Sequence, residues 1–583
     1  MNTWRNRIDR RNFLRAAAAF AATSSLGACR GEQDAVVGEQ TEDRYVATTV
    51  FRNGLILPVD AGFTEQQALA VRGSRILAIG SEDAVLSAAG SNAKIVDLAG
   101  RIILPGFIEP HMHFALMAGI GHFPDIGPFK YPTFDAALQA LREISAQTPP
   151  DHWVTARQFD PILLEPVRDL TIRELDEVAP DHPVWILNAS GHIAYVNSRA
   201  LKLAGITANA AAPAGGEYGR FEDGTPNGIL YGPDAHLPVL LLNQEVAERF
   251  RTGFVDAGIA VGELSASLGI TTLCDQAAGG LAGNQDLTLY RQMMNSGRMK
   301  TRLRASLFDQ QAADWEEAGI RFGDGDDMFR IVNWKMVTDG SNQGFTGRQR
   351  EPYVNSDSVG LFYIEPEELK EKVRLRTSQG WPLALHGNGD AAIDSILDAM
   401  EAAQAAGIDV TSLRCRIEHC SILHDDQIER IAALKMGPSF LINHVHYWGH
   451  VMRDRVFGPE KVQLLDRCRA VEDAGITWTI HTDAPVSPLG CLHKIRVAVA
   501  RDLWKEPETV LAPQEKVSVE AAIRAVTTNA AWQCHSEDVI GSLESGKLAD
   551  LVILDADPRK VEPTAISDIN VSETWLDGVK VYG

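Results

Sequence analysis

LPGFIEPHMHF, residues 104–114, decides how the rest of the chain is read. An apolar strand breaks at Pro105-Gly106, resumes, and ends in two histidines one residue apart. Side chains at i and i+2 of a strand share a face, so His111 and His113 aim at one spot. An apolar core has little use for paired imidazoles, whereas a metal ion binds them readily. The break also separates two textures. Upstream, VFRNGLILPV, QQALAVRGSRILAIGS and AKIVDLAGRIIL read as short strands, with Asn53-Gly54 and Arg72-Gly73 as turns. Downstream, apolar strands alternate with helical stretches such as TFDAALQALREISAQ and AAIDSILDAMEAAQAAG. The strands are HPVWILNAS, GITTLCD, FRIVNWKMV, PLALHG, RIEHCS, MGPSFLIN and ITWTIHTD. That alternation predicts βα units around a parallel sheet, and the count approaches the eight strands of a barrel. From IGSLESGKLADLVILDADP onward the chain returns to short strands. The expected fold is α/β: a distorted TIM (β/α)8 barrel over 105–535, inserted into a small β-sandwich domain formed by both chain ends, 47–104 and 536–583.

The 583 residues carry 55 Lys and Arg against 77 Asp and Glu, a formal charge of −22. Nucleic acid and anionic membrane both require a basic face, so neither is expected as a main partner. A small-molecule substrate is. None of the seven cysteines forms a CxxC pair, which removes support for an iron–sulfur or thioredoxin-like centre. Spacing assigns no disulfide among the last six. No dinucleotide fingerprint is present either, so a redox enzyme is set aside.

The N-terminal RRNFLRAAAAFAATSSLGAC, residues 10–29, resembles a bacterial twin-arginine signal, and its apolar run is too short to span a membrane. Residues 1–29 are therefore expected to be a signal peptide that engages the twin-arginine translocase. Leu26-Gly27-Ala28-Cys29 resembles a lipobox. Either Cys29 becomes lipidated and anchors the protein to the membrane, or the signal is simply cleaved and the protein is periplasmic. The polar stretch 30–46 suits a flexible linker. The sequence leaves a homodimer open.

Barrel chemistry collects at the carboxyl ends of the strands. Those ends supply His111 and His113, Lys335 in FRIVNWKMV, His386 in PLALHG, His419 in RIEH and Asp483 in TIHTD. Taken singly, each has an ordinary reading: a satisfied core histidine, a paired lysine, a helix-capping aspartate. Together, and in this order, they carry a resemblance. With PGFIEPHMH, GHIAYVNSRAL, GITTLCD, KMVTDGS, LHGNGD, RIEH, TDAPVSP and GSLESGKLADLVILD, the chain after its signal resembles the amidohydrolase superfamily, in particular amidohydrolase family 3, the group similar to N-substituted formamide deformylases.

The resemblance implies a divalent metal, zinc before manganese, iron or cobalt, with one or two ions per chain. His111, His113 and Asp483 would bind one ion, and His386 and His419 a second. Lys335 would bridge them as a carbamate, which a buried, neutral ε-amine forms with carbon dioxide. A metal-activated water would then hydrolyse a non-peptide amide-type C–N bond in an N-acyl, N-formyl or cyclic amide, with Asp483 as general acid and base. An ester or lactone hydrolase would use the same site. A non-catalytic envelope binding or regulatory protein is the remaining class, and the presence of all six ligand candidates weighs against it.

Around the metal, His192 and Asn197 fall in a long insertion near the site and are expected at the substrate. So are Asp339 and Ser341, just past Lys335. His444 and His446 form a second HxH beyond the seventh strand, where the family places no ligand; they line the pocket or lie on the surface. Two departures from the family stand out. Glu109 replaces the commoner aspartate before HxH. His481 replaces a small residue two before Asp483, where strand alternation turns it inward. His481 and Glu418 are expected to support ligands from behind. The aromatic Phe114, Phe123, Phe129, Tyr131 and Phe134, with Tyr447 and Trp448, either rim a pocket for an apolar substituent or pack the loops onto the barrel.

Overall fold

The structure is a computed structural model that describes residues 47–583 apart from 214, 215 and 282. The expected signal 1–29, the lipobox cysteine Cys29 and the linker 30–46 lie outside the described residues. No described helix is long and apolar enough to cross a membrane.

Eight parallel strands form the central sheet. In chain order they are β1 (Phe107–Met112), β2 (Ile270–Ala278), β3 (Arg302–Phe308), β4 (Phe329–Val337), β5 (Leu383–Gly387), β6 (Arg416–His419), β7 (Gly437–Phe440) and β8 (Thr479–Ile480). Each pairs with the next. The sheet closes where Met112 bridges to Ala484, with His113 N–H donating to Ala484 O at 2.8 Å and Asp483 N–H to His111 O at 3.1 Å. Closure therefore sets the end of β1 against the segment after β8, and brings the HxH pair to Asp483.

Both chain ends build the second layer. The strands Thr48–Arg52, Ala68–Arg72, Arg75–Gly80 and Lys94–Asp97 form one sheet. Leu55–Ile56, Ile102–Pro105, Leu551–Leu554, Val571–Leu576 and Val579–Tyr582 form the other. Phe51, Leu69, Ile103, Leu551 and Trp575 meet in one shared core. The break at Pro105-Gly106 is where the chain leaves this sheet: Ile102–Pro105 pairs with Leu551–Leu554, and β1 starts after a single residue. That residue must be small, because a Cβ on Gly106 would lie 2.3 Å from Thr271 Oγ1.

Two strand expectations are corrected. HPVWILNAS is not a barrel strand. Val184–Asn188 belongs to a five-stranded sheet, residues 154–231, inserted between β1 and β2. Its apolar run is buried throughout, so it reads like a barrel strand. Conversely, β3 was not foreseen, because RLRASLF carries two arginines. Both are fully buried. Arg302 binds Asp550 at 2.7 and 2.9 Å and Asp577 at 2.5 Å, tying the barrel to the terminal β layer, and Arg304 donates to Ser536 Oγ at 2.8 Å.

Candidate metal centre

The six ligand candidates meet at the carboxyl end of the barrel. Imidazole rings run in an unbroken chain: His113 to His111 at 5.5 Å between centroids, His111 to His419 at 4.9 Å, His419 to His386 at 4.4 Å, and on to His192 at 5.2 Å. Asp483 Oδ1 lies 3.0 Å from His111 Nε2 and 3.1 Å from His113 Nε2. His419 Nε2 lies 3.0 Å from His386 Nδ1. Lys335 is 1% exposed and its Nζ has no hydrogen-bond partner.

The hydrogen bonds behind the ligands define which nitrogen carries each lone pair. His111 Nδ1 is 2.5 Å from Glu418 Oε2. The carboxylate must accept there, so the neutral ring presents its lone pair at Nε2. That atom faces Asp483 Oδ1 at 3.0 Å, yet neither atom makes a hydrogen bond. Two acceptors approach this closely when a cation belongs between them. Buried polar atoms are paired as a rule, and three atoms without a hydrogen bond, His111 Nε2, Asp483 Oδ1 and Lys335 Nζ, belong to this one cluster of ligand candidates. A divalent metal fits this donor set.

Electrostatics agree. Burial pushes Lys335 down to about 8, so a neutral amine is accessible near physiological pH. Burial, then the neighbouring His386, lowers His419 well below an ordinary histidine. His419 and Asp483 also sit in the left-handed backbone region, with φ of 67° and 55°. For non-glycine residues that conformation costs about 1–2 kcal/mol, a strain that concentrates at functional sites.

His111, His481 and Asp483 also place ligand atoms within 4.8 Å of one another. The rings of His111 and His481 stack at 4.3 Å, inclined by 11°. The stack sets His481 against the face of His111, where it would brace that ligand. The Nε2 of His481 is anchored 3.2 Å from Ser439 O.

Above the floor opens a cavity of about 330 Å³ lined by His113, Lys335, His386, His419 and Asp483. His192 is in its wall, with Nδ1 buried and unpartnered. Burial, then His386, keeps that ring neutral. The rest of the wall is mainly apolar: Leu187, Leu237, Leu281, Phe308 and Ile364. A second lysine in the wall, Lys372, is bound to Asp309 at 2.7 Å. These wall residues escaped sequence reasoning because the insertion, the helix Pro233–Leu240 and scattered loop positions supply them. Asp275 and Gln276 also line the cavity; their place at the end of GITTLCDQ was the signal available for them.

Five expected substrate residues lie outside the cavity wall. Asn197 is fully buried. It accepts from Val184 and Ala200 N–H at 3.0 and 3.1 Å and donates to His182 O at 2.8 Å, which leaves nothing for a substrate. Asp339 accepts backbone N–H groups from Asn388, Gly389 and Arg348 at 3.0, 2.8 and 2.8 Å, anchoring loops behind His386. Ser341 is buried in the same loop, bonded through its N–H to Thr346 Oγ1 at 2.9 Å. His446 is held by Asp502 O at 2.8 Å. Its HxH partner His444 lies 3.4 Å from Ser421 Oγ, and Ser421 donates to Asn388 beside His386. Both histidines are buried and neither lines the cavity. The aromatic residues of the post-HxH loop pack it down: Phe114, Phe123 and Phe134 are core, and Phe129 meets Tyr447 at a tilt and Trp504 edge to face, at 4.4 and 5.0 Å between centroids.

The departure at Glu109 has a partner. Its carboxylate accepts from Lys494 Nζ at 2.9 Å and Thr482 Oγ1 at 3.0 Å. This fully buried pair joins β1 to the helix Cys491–Ala500 beside the closure point.

Comparison with known proteins is consistent with this geometry. The model of the amidohydrolase family matches residues 94–582. An N-substituted formamide deformylase of Arthrobacter pascens is 30% identical, covering 91% of this chain and 97% of that protein. A metal-dependent hydrolase of Pyrococcus furiosus shares the fold at a TM-score of 0.66 and 24% identity, over 88% of this chain and all of that one. The zinc complex of atrazine chlorohydrolase TrzN from Arthrobacter aurescens TC1 superposes at a TM-score of 0.50 and 14% identity, over 91% and 94% of the two chains.

Proposed function

The chain belongs to the amidohydrolase family, and we propose that it hydrolyses a non-peptide amide-type C–N bond in a small molecule bearing an apolar substituent. One observation carries this reading: the lone-pair atoms of His111 and Asp483 converge at 3.0 Å without a hydrogen bond. His111, His113 and Asp483 would hold one ion, and His386 Nδ1 with His419 Nε2 a second. Imidazole and carboxylate donors suit zinc. Lys335 would join the two ions as a carbamate: its neutral amine adds carbon dioxide and releases a proton. A metal held there would supply a water ionised near neutral pH and Lewis acidity toward the scissile carbonyl.

The protein does the rest. Asp483, ionised at the cavity floor, takes the proton from the attacking water and delivers it to the leaving nitrogen. His192 stands in the cavity wall beside His386, with a neutral ring that suits hydrogen bonding to the substrate carbonyl. The leucine-rich wall receives the apolar substituent and excludes water. The formamide deformylase among the relatives supports an amide over an ester or lactone. Arg10-Arg11 and Leu26–Cys29 support export through the twin-arginine translocase, to the periplasm or to a lipid anchor at Cys29.

A panel of N-formyl and N-acyl benzylamines, with the matching benzyl esters, tests the reading. The expected result is zinc-dependent amine release from an amide. Ester cleavage alone would move the chain to the second chemistry. Hydrolysis of neither by zinc-loaded protein would overturn the proposal.

A further inference from the structure

Glu418 precedes a ligand candidate in sequence, but in space it serves a different one. Residues i and i+2 of β6 share a face, so Arg416 and Glu418 stand together, and both are fully buried. Arg416 grips Glu418 through Nε and through Nη2 at 3.0 Å. The same guanidinium reaches Pro110 O at 3.1 Å, one residue before His111. Glu418 then meets His111 Nδ1 at 2.5 Å. The result is a buried relay, Arg416–Glu418–His111, running from β6 to β1 beneath the cavity floor.

We infer that Glu418 is the positioning residue of the metal centre: it fixes the tautomer and orientation of His111, and so sets how tightly the ion at His111, His113 and Asp483 is held. A carboxylate accepting from Nδ1–H does two things. It confines the proton to that nitrogen, leaving Nε2 free to ligate, and it makes Nε2 a stronger donor. The buried charge is offset because Arg416 faces it as an ion pair and donates from Nη2 to Glu418 Oε2 at 3.0 Å, and a charge in so dry a place needs such a partner. Glu418 touches neither substrate nor reacting atoms in this arrangement. It acts through His111. The inference rests on the metal-centre reading above.

The test is a zinc titration of metal-free protein against a chromophoric chelator, in wild type, Glu418→Gln and Glu418→Gln/Arg416→Met. Glutamine keeps the shape and removes the charge. The double variant also removes the arginine left unpaired, so that folding is preserved. Zinc should bind about ten- to hundredfold more weakly at one site in both variants, with the other site unchanged. The 15N resonances of His111 in the metal-free protein should shift from a single Nδ1–H tautomer in wild type to a mixture in the variants, which a purely structural role would not produce. Wild-type affinity and an unchanged tautomer in folded variants would overturn the inference. A wild-type chain that takes up no zinc would overturn the metal-centre reading itself, and this inference with it.

Discussion

The two halves of the candidate centre are braced differently. In the half built from β1 and the end of β8, His111 is held by a charged chain, with Glu418 at 2.5 Å and His481 stacked on its face at 4.3 Å. In the half built from β5 and β6, His386 Nε2 has Gly340 O at 3.2 Å and Asp339 Oδ1 at 3.4 Å, and that carboxylate already serves three backbone N–H groups. The far nitrogen of His419, Nδ1, is buried without a partner. A ligand whose outer nitrogen meets a dedicated carboxylate binds metal more strongly than one that leans on neutral groups. The comparison teaches that two ions bound here would be held unequally, with the one on the HxH side the tighter.

Several changes would break or sharpen this contrast. Asp483→Asn should have the largest effect, lowering kcat on the cleaved amide by about 10²–10⁴-fold, the range for loss of a general acid–base group, and weakening metal on the HxH side. Steady-state kinetics at saturating zinc would check it. Lys335→Met should cost the looser ion first, so that elemental analysis finds the HxH ion retained. Lys335 also predicts a pH dependence. Its amine is neutral above a pKa near 8, so reactivation of metal-free protein at fixed dissolved carbon dioxide should speed up from pH 6.5 to 8.5. The fraction of neutral amine rises about 25-fold over that interval. A flat profile would argue against a carbamate.

Smaller effects probe the scaffold. Glu109→Gln strands Lys494 in the core, which costs about 3–5 kcal/mol for a broken buried pair. The melting temperature should fall, and the HxH ion should loosen because the pair sits beside the barrel closure. Asn197→Ala should cost about 1–3 kcal/mol from its orphaned backbone partners, with KM unchanged. A raised KM would restore this residue to the substrate site.

Much of this was legible in the sequence because chemistry-bearing residues stand out at the ends of apolar strands. His111, His113, Lys335, His386, His419 and Asp483 all do, and the structure brings all six together. The barrel itself was legible wherever strands are uniformly apolar. It failed at β3, where Arg302 and Arg304 look solvent-facing until Asp550, Asp577 and Ser536 arrive from the far end of the chain. It failed in the opposite sense at Val184–Asn188, because a fully buried strand of an inserted sheet has the same apolar text as a barrel strand. Asn197 and Asp339 misled for a shared reason: short polar residues near a site are as useful for satisfying loop backbone as for binding. The apolar cavity wall was invisible because Leu187, Leu237 and Leu281 acquire meaning only once the insertion is folded over the barrel.

The central claim is that these side chains form a metal centre. Elemental analysis of purified protein, beside His111→Ala/His113→Ala, tests it most directly. The account predicts about two zinc per chain with the Lys335 bridge formed, as in a two-metal site, and loss of the HxH ion in the variant. Folded protein that holds no metal and takes up none when zinc is added would contradict it.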